Sequence, residues 1–303
     1  MPGTTMTAHL QEMQLRFTDL HKRIKRAAKT VLNQPAAAAA SCAQLFQLAA
    51  EMDSDHSAWS NAYFAELRQI FGPNSPAEAQ AMVMVTGVGR WIAQDRMYLL
   101  LCDSTAALQM EHYDQALASA MDGLRCCDEL QAQGPDLGDP SLIKLKTELP
   151  SQRMMLLAQV MLTNLKRAAG PPENLAAATE AETWAVRTHE QALAVGTALA
   201  AIGDKRGTRI AWLTAAQALT SAASAALIKR DLDSFIAWMK RAIQFSDTYQ
   251  VVLGSAARGP SYTTFLRNWV LSAESTMDRT GEADHRVNEI AEQYLASMDL
   301  EAF

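Results

Sequence analysis

The feature that most restricts this chain is a missing one: no alternating run of Val, Ile, Thr or Tyr is flanked by hairpin turns. Turn residues instead punctuate long stretches rich in Ala, Leu, Met and Gln, which are good helix formers. The breaks fall at Gln34-Pro35, Gly72-Pro73, Gly134-Pro135, Gly170-Pro171-Pro172, Gly203 to Gly207, Gly259-Pro260 and Gly281. Some carry helix-start signals with a mechanism. In Ser75-Pro76-Ala77-Glu78 the serine caps, the proline suits the first helical position, and Glu78 can reach back to the cap amide. Asp139-Pro140 has the same character, and Asp53-Ser-Asp-His56 lies where Asp and Ser would cap another helix. The pattern predicts an all-α protein of about eleven or twelve helices joined by short loops.

The first helix can be read on its own. Leu10, Met13, Phe17, Leu20, Ile24, Ala27 and Val31 recur at spacings of three and four, which draws one apolar seam along it. Arg16, Lys22, Arg23, Lys25, Arg26 and Lys29 take the other faces, so residues 1–34 hold six basic against two acidic side chains. The expected use of Lys22, Arg23, Lys25, Arg26 and Lys29 is a solvated cationic face, with nucleic acid or an anionic membrane as the ligands such a surface could serve. Residues 274–303 have the opposite balance, with eight acids and two bases. There Val287, Ile290, Ala291, Tyr294, Leu295 and Met298 trace an apolar stripe, as a polar-faced terminal capping helix would. Opposite charge at the two ends points to head-to-tail self-association.

Internal similarity ties two distant segments together. One contains Ala107-Leu108, then Tyr113-Asp114-Gln-Ala116-Leu117 and Gly123-Leu124; the other contains Ala226-Leu227, then Leu232-Asp233-Ser-Phe235-Ile236 and Ala242-Ile243. Each closes a helix with a small residue and a leucine, turns through polar residues, and opens a second helix with a small residue further on. This is the pattern of a helical hairpin whose backbones approach closely. It resembles the tetratricopeptide repeat, matched best by Tyr113, Asp114, Ala116 and Gly123 and less fully by Leu232, Asp233 and Ala242, with Phe235 in place of a small residue. The resemblance implies an α-solenoid of antiparallel hairpins. The expected organisation is an N-terminal helical bundle over residues 1–75 and a repeat region over 76–303. Relatives that hold a C-terminal carboxylate use Lys and Asn on the first helix, whereas here that helix reads Thr220-Ser-Ala-Ala-Ser224. The resemblance therefore stops short of that ligand class.

Chemistry-bearing motifs are scarce. No HExxH, GxSxG or P-loop occurs, and Gly87-Val-Gly89-Arg90 follows no strand, so it reads as a kink or a close helix contact. The one Glu-x-x-His, Glu282-Ala-Asp-His285, lacks the second pair that a di-iron bundle needs. Cys42, Cys102, Cys126 and Cys127 show neither CxxC spacing nor histidine partners, which points to reduced, mostly buried thiols. No cofactor or metal is expected. The first thirty residues have no signal-peptide core, and the two longest uncharged stretches are too rich in Gln, Ser and Thr for a membrane span, so the expected compartment is the cytoplasm. An overall charge of −6 argues against uniform nucleic-acid binding.

The uncharged stretch Ile210 to Ile228 carries Thr214, Gln217, Ser221 and Ser224 at spacings of 3, 4 and 3, a narrow polar stripe that Arg206 extends. It has two uses: lining a groove for a partner, or close packing of small residues between helices. Fifteen methionines would make a groove adaptable, or simply fill cores. Together these features lead to a non-enzymatic protein-interaction module (an adaptor, chaperone or regulator) that binds a peptide or helix of a partner. The alternatives are a partner-sensing regulator whose basic first helix contacts nucleic acid, and a helical enzyme of unknown reaction.

Overall fold

The computed structural model describes residues 2–132, 140–170 and 173–249, together with a few helical positions between 267 and 274. Every regular element among them is an α-helix. The expected terminal capping helix, the Glu282-Ala-Asp-His285 motif and Asp139 lie outside the described residues. The chain divides into two compact units, Met1–Lys146 and Thr147–Phe303.

The first unit holds α1 (Pro2–Thr30), α2 (Pro35–Phe71), α3 (Pro76–Gln109), α4 (Tyr113–Ala132) and the start of α5 (Pro140–Ala169). The seam on α1 is buried as its spacing requires: Met13, Leu20, Ile24, Ala27 and Val31 face the core. The first four pack with Cys42, Leu45, Ala49 and Met52 of α2 and with Val88, Ile92 and Leu99 of α3, and Val31 packs with Ala38 and Ala106. At the α2–α3 turn, Ser75 accepts the Glu78 amide, while the Glu78 carboxylate accepts the Asn74 amide at 2.7 Å and pairs with Arg68 at 2.6 Å. The Arg68 guanidinium and then that amide hold the Glu78 carboxyl below the usual carboxylate range. Three of the four thiols are buried, Cys126 is half-buried, and none is in a disulfide.

The second unit contains the rest of α5, α6 (Leu175–Ala201), α7 (Lys205–Ile228) and α8 (Leu232–Tyr249). Its centre is α7, which packs against both α6 and α8. Alanines at 211, 215, 216, 218, 222, 223, 225 and 226 are all buried and let neighbouring backbones come close. α7 is also the one helix among the described residues long and apolar enough to cross a membrane, and 78% of its apolar window is buried inside the fold.

Three sequence expectations need correction. Among the described residues there are eight helices, not eleven or twelve, and the α-solenoid of short hairpins is not the architecture. Asp53-Ser-Asp-His56 is interior to the 37-residue α2, because no Pro or Gly interrupts that run. Gly87 and Gly89 sit within the 34-residue α3, and a Cβ on either would meet nothing within 4 Å, so the close helix contact is not there. A single helix here is as long as a whole two-helix repeat of about 34 residues.

The segments that carry the resemblance are hairpin turns of one geometry. The Glu111 and Arg230 amides donate to Leu108 and Leu227, and the His112 and Asp231 amides donate to Ala107 and Ala226 at 2.8 and 2.9 Å. Glu111 and Arg230 take left-handed conformations, φ 60° and 62°. This is a Schellman closure. The α6–α7 turn closes identically through Gly203 and Asp204, where no repeat was visible in the sequence. The shared pattern therefore reports a three-residue turn between long helices. What stands is an all-α protein in which successive helices pack on one another within each unit.

Candidate functional site

Because α6 and α8 lie on either side of α7, a cleft opens between them. It has a volume of about 420 Å³, and α7 forms its floor with Ala218, Leu219 and Ala222. Two of those three floor residues end at a methyl group, so the depth comes from alanine. On α8, Trp238, Arg241, Phe245, Thr248 and Tyr249 recur every three or four residues and therefore form one wall, joined by Gln244. On α6, Ala185, Val186, His189 and Glu190 form the opposite wall.

The walls are held by contacts that begin in the turns. Asp231 caps α8 by accepting the Ser234 amide at 3.0 Å, and that bond holds its carboxyl below the usual range. One end of the cleft is fixed by Glu182 of α6, whose carboxylate pairs with the Lys229 ammonium and accepts the Trp238 indole N–H at 2.7 Å. Deeper in, the His189 ring stands edge-on to Phe245 at 5.3 Å, and Phe245 stacks on Tyr249 at 4.4 Å. The Arg241 guanidinium lies over the Trp238 ring, 4.9 Å from its centre.

The geometry fixes the hydrogen-bonding character of His189. Its Nδ1 is 3.0 Å from the Ala215 carbonyl, which can only accept, so Nδ1 carries the proton. In the neutral ring, Nε2 is left as an acceptor. The cleft thus combines an apolar floor, three aromatic rings, a cation at Arg241, an anion at Glu190 and an imidazole acceptor. That suits one bulky apolar group together with main-chain or side-chain donors. Among the described residues, no group of three His, Cys, Asp or Glu side chains lies close enough to hold a metal ion.

The stripe singled out from the sequence falls elsewhere on α7. Thr214, Ser221 and Ser224 are buried, and the Thr214 and Ser224 hydroxyls donate to the Ile210 and Thr220 carbonyls of their own helix. The Ser221 hydroxyl is 1% exposed and has no partner. Gln217 is half-buried and Arg206 is exposed. Most of the stripe therefore lies in the packed interior. On α1, Lys22, Arg23, Lys25, Arg26 and Lys29 are all exposed.

Sequence reasoning missed the cleft residues themselves. The helical recurrence of Trp238, Phe245 and Tyr249 on α8 was there to be read, but nothing local indicates that α6 stands opposite. Comparison with protein-family models, with curated proteins and with solved structures gives no match for this chain.

Proposed function

We propose that the protein is a non-enzymatic interaction module, an adaptor, chaperone or regulator, that takes a peptide or helix of a partner protein in the α6–α8 cleft. The observation that carries this reading is an alanine-rich floor flanked by an aromatic wall on α8 and a mixed wall on α6 that carries His189 and Glu190. An apolar anchor side chain of the partner would lie above the buried Ala218 and Ala222, along the α8 wall of Trp238 and Phe245, in the manner of interface hot spots. His189 Nε2 would accept a main-chain N–H, and Arg241 would meet a carbonyl or carboxylate. The volume falls at the lower end of the range of about 300–1,000 Å³ typical of ligand sites, enough for one or two anchor side chains.

The test is selection of a displayed random-peptide library on the full chain, with counter-selection on Ala222→Leu and Arg241→Glu. Ala222 is buried in the cleft floor, so Leu there takes up space at the anchor position, and circular dichroism equal to the parent's is required of the variant before its binding is read. The expected result is a family of peptides with a shared bulky apolar residue that lose binding to Ala222→Leu by at least an order of magnitude. Peptides that bind both variants as well as the parent chain would remove the proposal.

A further inference from the structure

The cationic face of α1 plays no part in the cleft. Its residues fall on one arc: Lys22, Lys25, Arg26 and Lys29 are spaced at three and four, and Arg23 flanks them. All five side chains are exposed, while Leu20, Ile24, Ala27 and Val31 on the opposite face are buried. The nearby acids are few. Asp19 pairs with Arg23 at 3.9 Å, and the buried Asp95 of α3 is bonded to His21 at 2.8 Å with Lys25 close by. Among the described residues no ion pair is formed by Lys22, Arg26 or Lys29.

We infer that this face of α1 docks on the phosphate backbone of nucleic acid, without sequence readout. From Lys22 to Lys29 the helix advances roughly 10 Å at about 1.5 Å per residue. Over that length duplex DNA presents about six phosphates, one per 1.7 Å of axis. Five cations on one arc match that density. An anionic membrane fits less well, because a helix lying in a bilayer surface must offer an apolar face, and here that face is spent on the core of the first unit. Between residues 18 and 31 the exposed positions are Thr, Asp, Ala, Lys and Arg only. The chain's net charge of −6 does not cancel the patch, because charges beyond a Debye length of about 8 Å are screened at physiological salt.

Fluorescence anisotropy of a short labelled duplex, titrated with the full chain across a salt series, tests the inference. With about four phosphates neutralised, the expected slope of log K against log salt is near −3.6, and affinity falls about a hundredfold between about 50 and 200 mM. Lys22→Glu/Arg26→Glu/Lys29→Glu, whose circular dichroism should equal the parent's, is expected to weaken binding at least a hundredfold and flatten the slope by about three. Lys205→Glu/Arg209→Glu on α7 should change neither. No binding at low salt, binding that survives the triple reversal, or binding of the same α1 face to phosphatidylserine vesicles in preference to duplex would each overturn it. The α6–α8 cleft shares no residue with this face, so its peptide-library result stands or falls alone.

Discussion

Adding one methyl group at three glycines should move stability in two directions. Gly196 lies inside α6, where an added Cβ would come within 2.5 Å of two ring atoms of Trp212 and 3.4 Å of the Ala211 methyl. The Trp212 ring packs against Tyr249 at 4.9 Å, so it cannot withdraw without disturbing the cleft wall. Overpacking of this kind costs about 1–3 kcal/mol. Replacing a helix-interior glycine by alanine returns about 0.8–1.0 kcal/mol of helix propensity. Gly196→Ala is therefore expected to be destabilising by about 0–2 kcal/mol. Gly87 and Gly89, interior to α3 with nothing within 4 Å of an added Cβ, should show only the propensity gain. Urea unfolding followed by circular dichroism measures all three, and a cycle with Trp212→Ala isolates the clash. In the Trp212→Ala background Gly196→Ala should become stabilising. If Gly196→Ala instead stabilised the parent as much as Gly87→Ala does, the close approach of α6 to α7 would be refuted.

Two other perturbations follow from buried polar groups. Ser221→Ala removes a buried hydroxyl that has no partner and should stabilise the second unit by about 1 kcal/mol or more in urea unfolding; a loss of stability would mean that the hydroxyl is satisfied. In the first unit, His9 Nε2 lies 3.3 Å from His56 Nδ1, and the other nitrogen of His56 meets the Val85 carbonyl at 2.9 Å, an arrangement completed with both rings neutral. Burial first, and then His56, hold His9 below its ordinary value of 6.5, with Arg16 acting in the same sense and Glu12 and Asp55 against it. The folded form thus binds fewer protons than the unfolded chain in the window just below pH 6.5, so stability is greatest above that value and falls as pH drops through the window. Unfolding midpoints measured between about pH 8 and 5 should show this decline, and His9→Gln should flatten it; an unchanged decline in the variant would count against the pair.

Much of the fold was legible because helix signals are local. The spacing from Leu10 to Val31 predicted which face of α1 is buried, and Ser75-Pro76 predicted where α3 begins. The helix count failed where residues with two uses were read as caps. Asp53 and Ser54 resemble a start, yet an uninterrupted helix simply exposes both to solvent. The repeat resemblance reached the hairpins and no further for a related reason, since small residues and a leucine around a polar turn are what any Schellman-closed hairpin needs. The cleft was hidden because it depends on which helices flank α7, and side-chain spacing within one helix does not contain that information. The stripe was ambiguous in the sequence because hydroxyls such as those of Thr214 and Ser224 can bond to their own helix, which lets polar residues sit inside an alanine-rich interior.

Hydrogen exchange of the intact chain, with and without a library-selected peptide, tests the cleft most directly. The account predicts slowed exchange along Ala185–Glu190 of α6 and Trp238–Tyr249 of α8, with α1 to α4 unchanged. Protection confined to other helices, with those two segments unaffected, would contradict it.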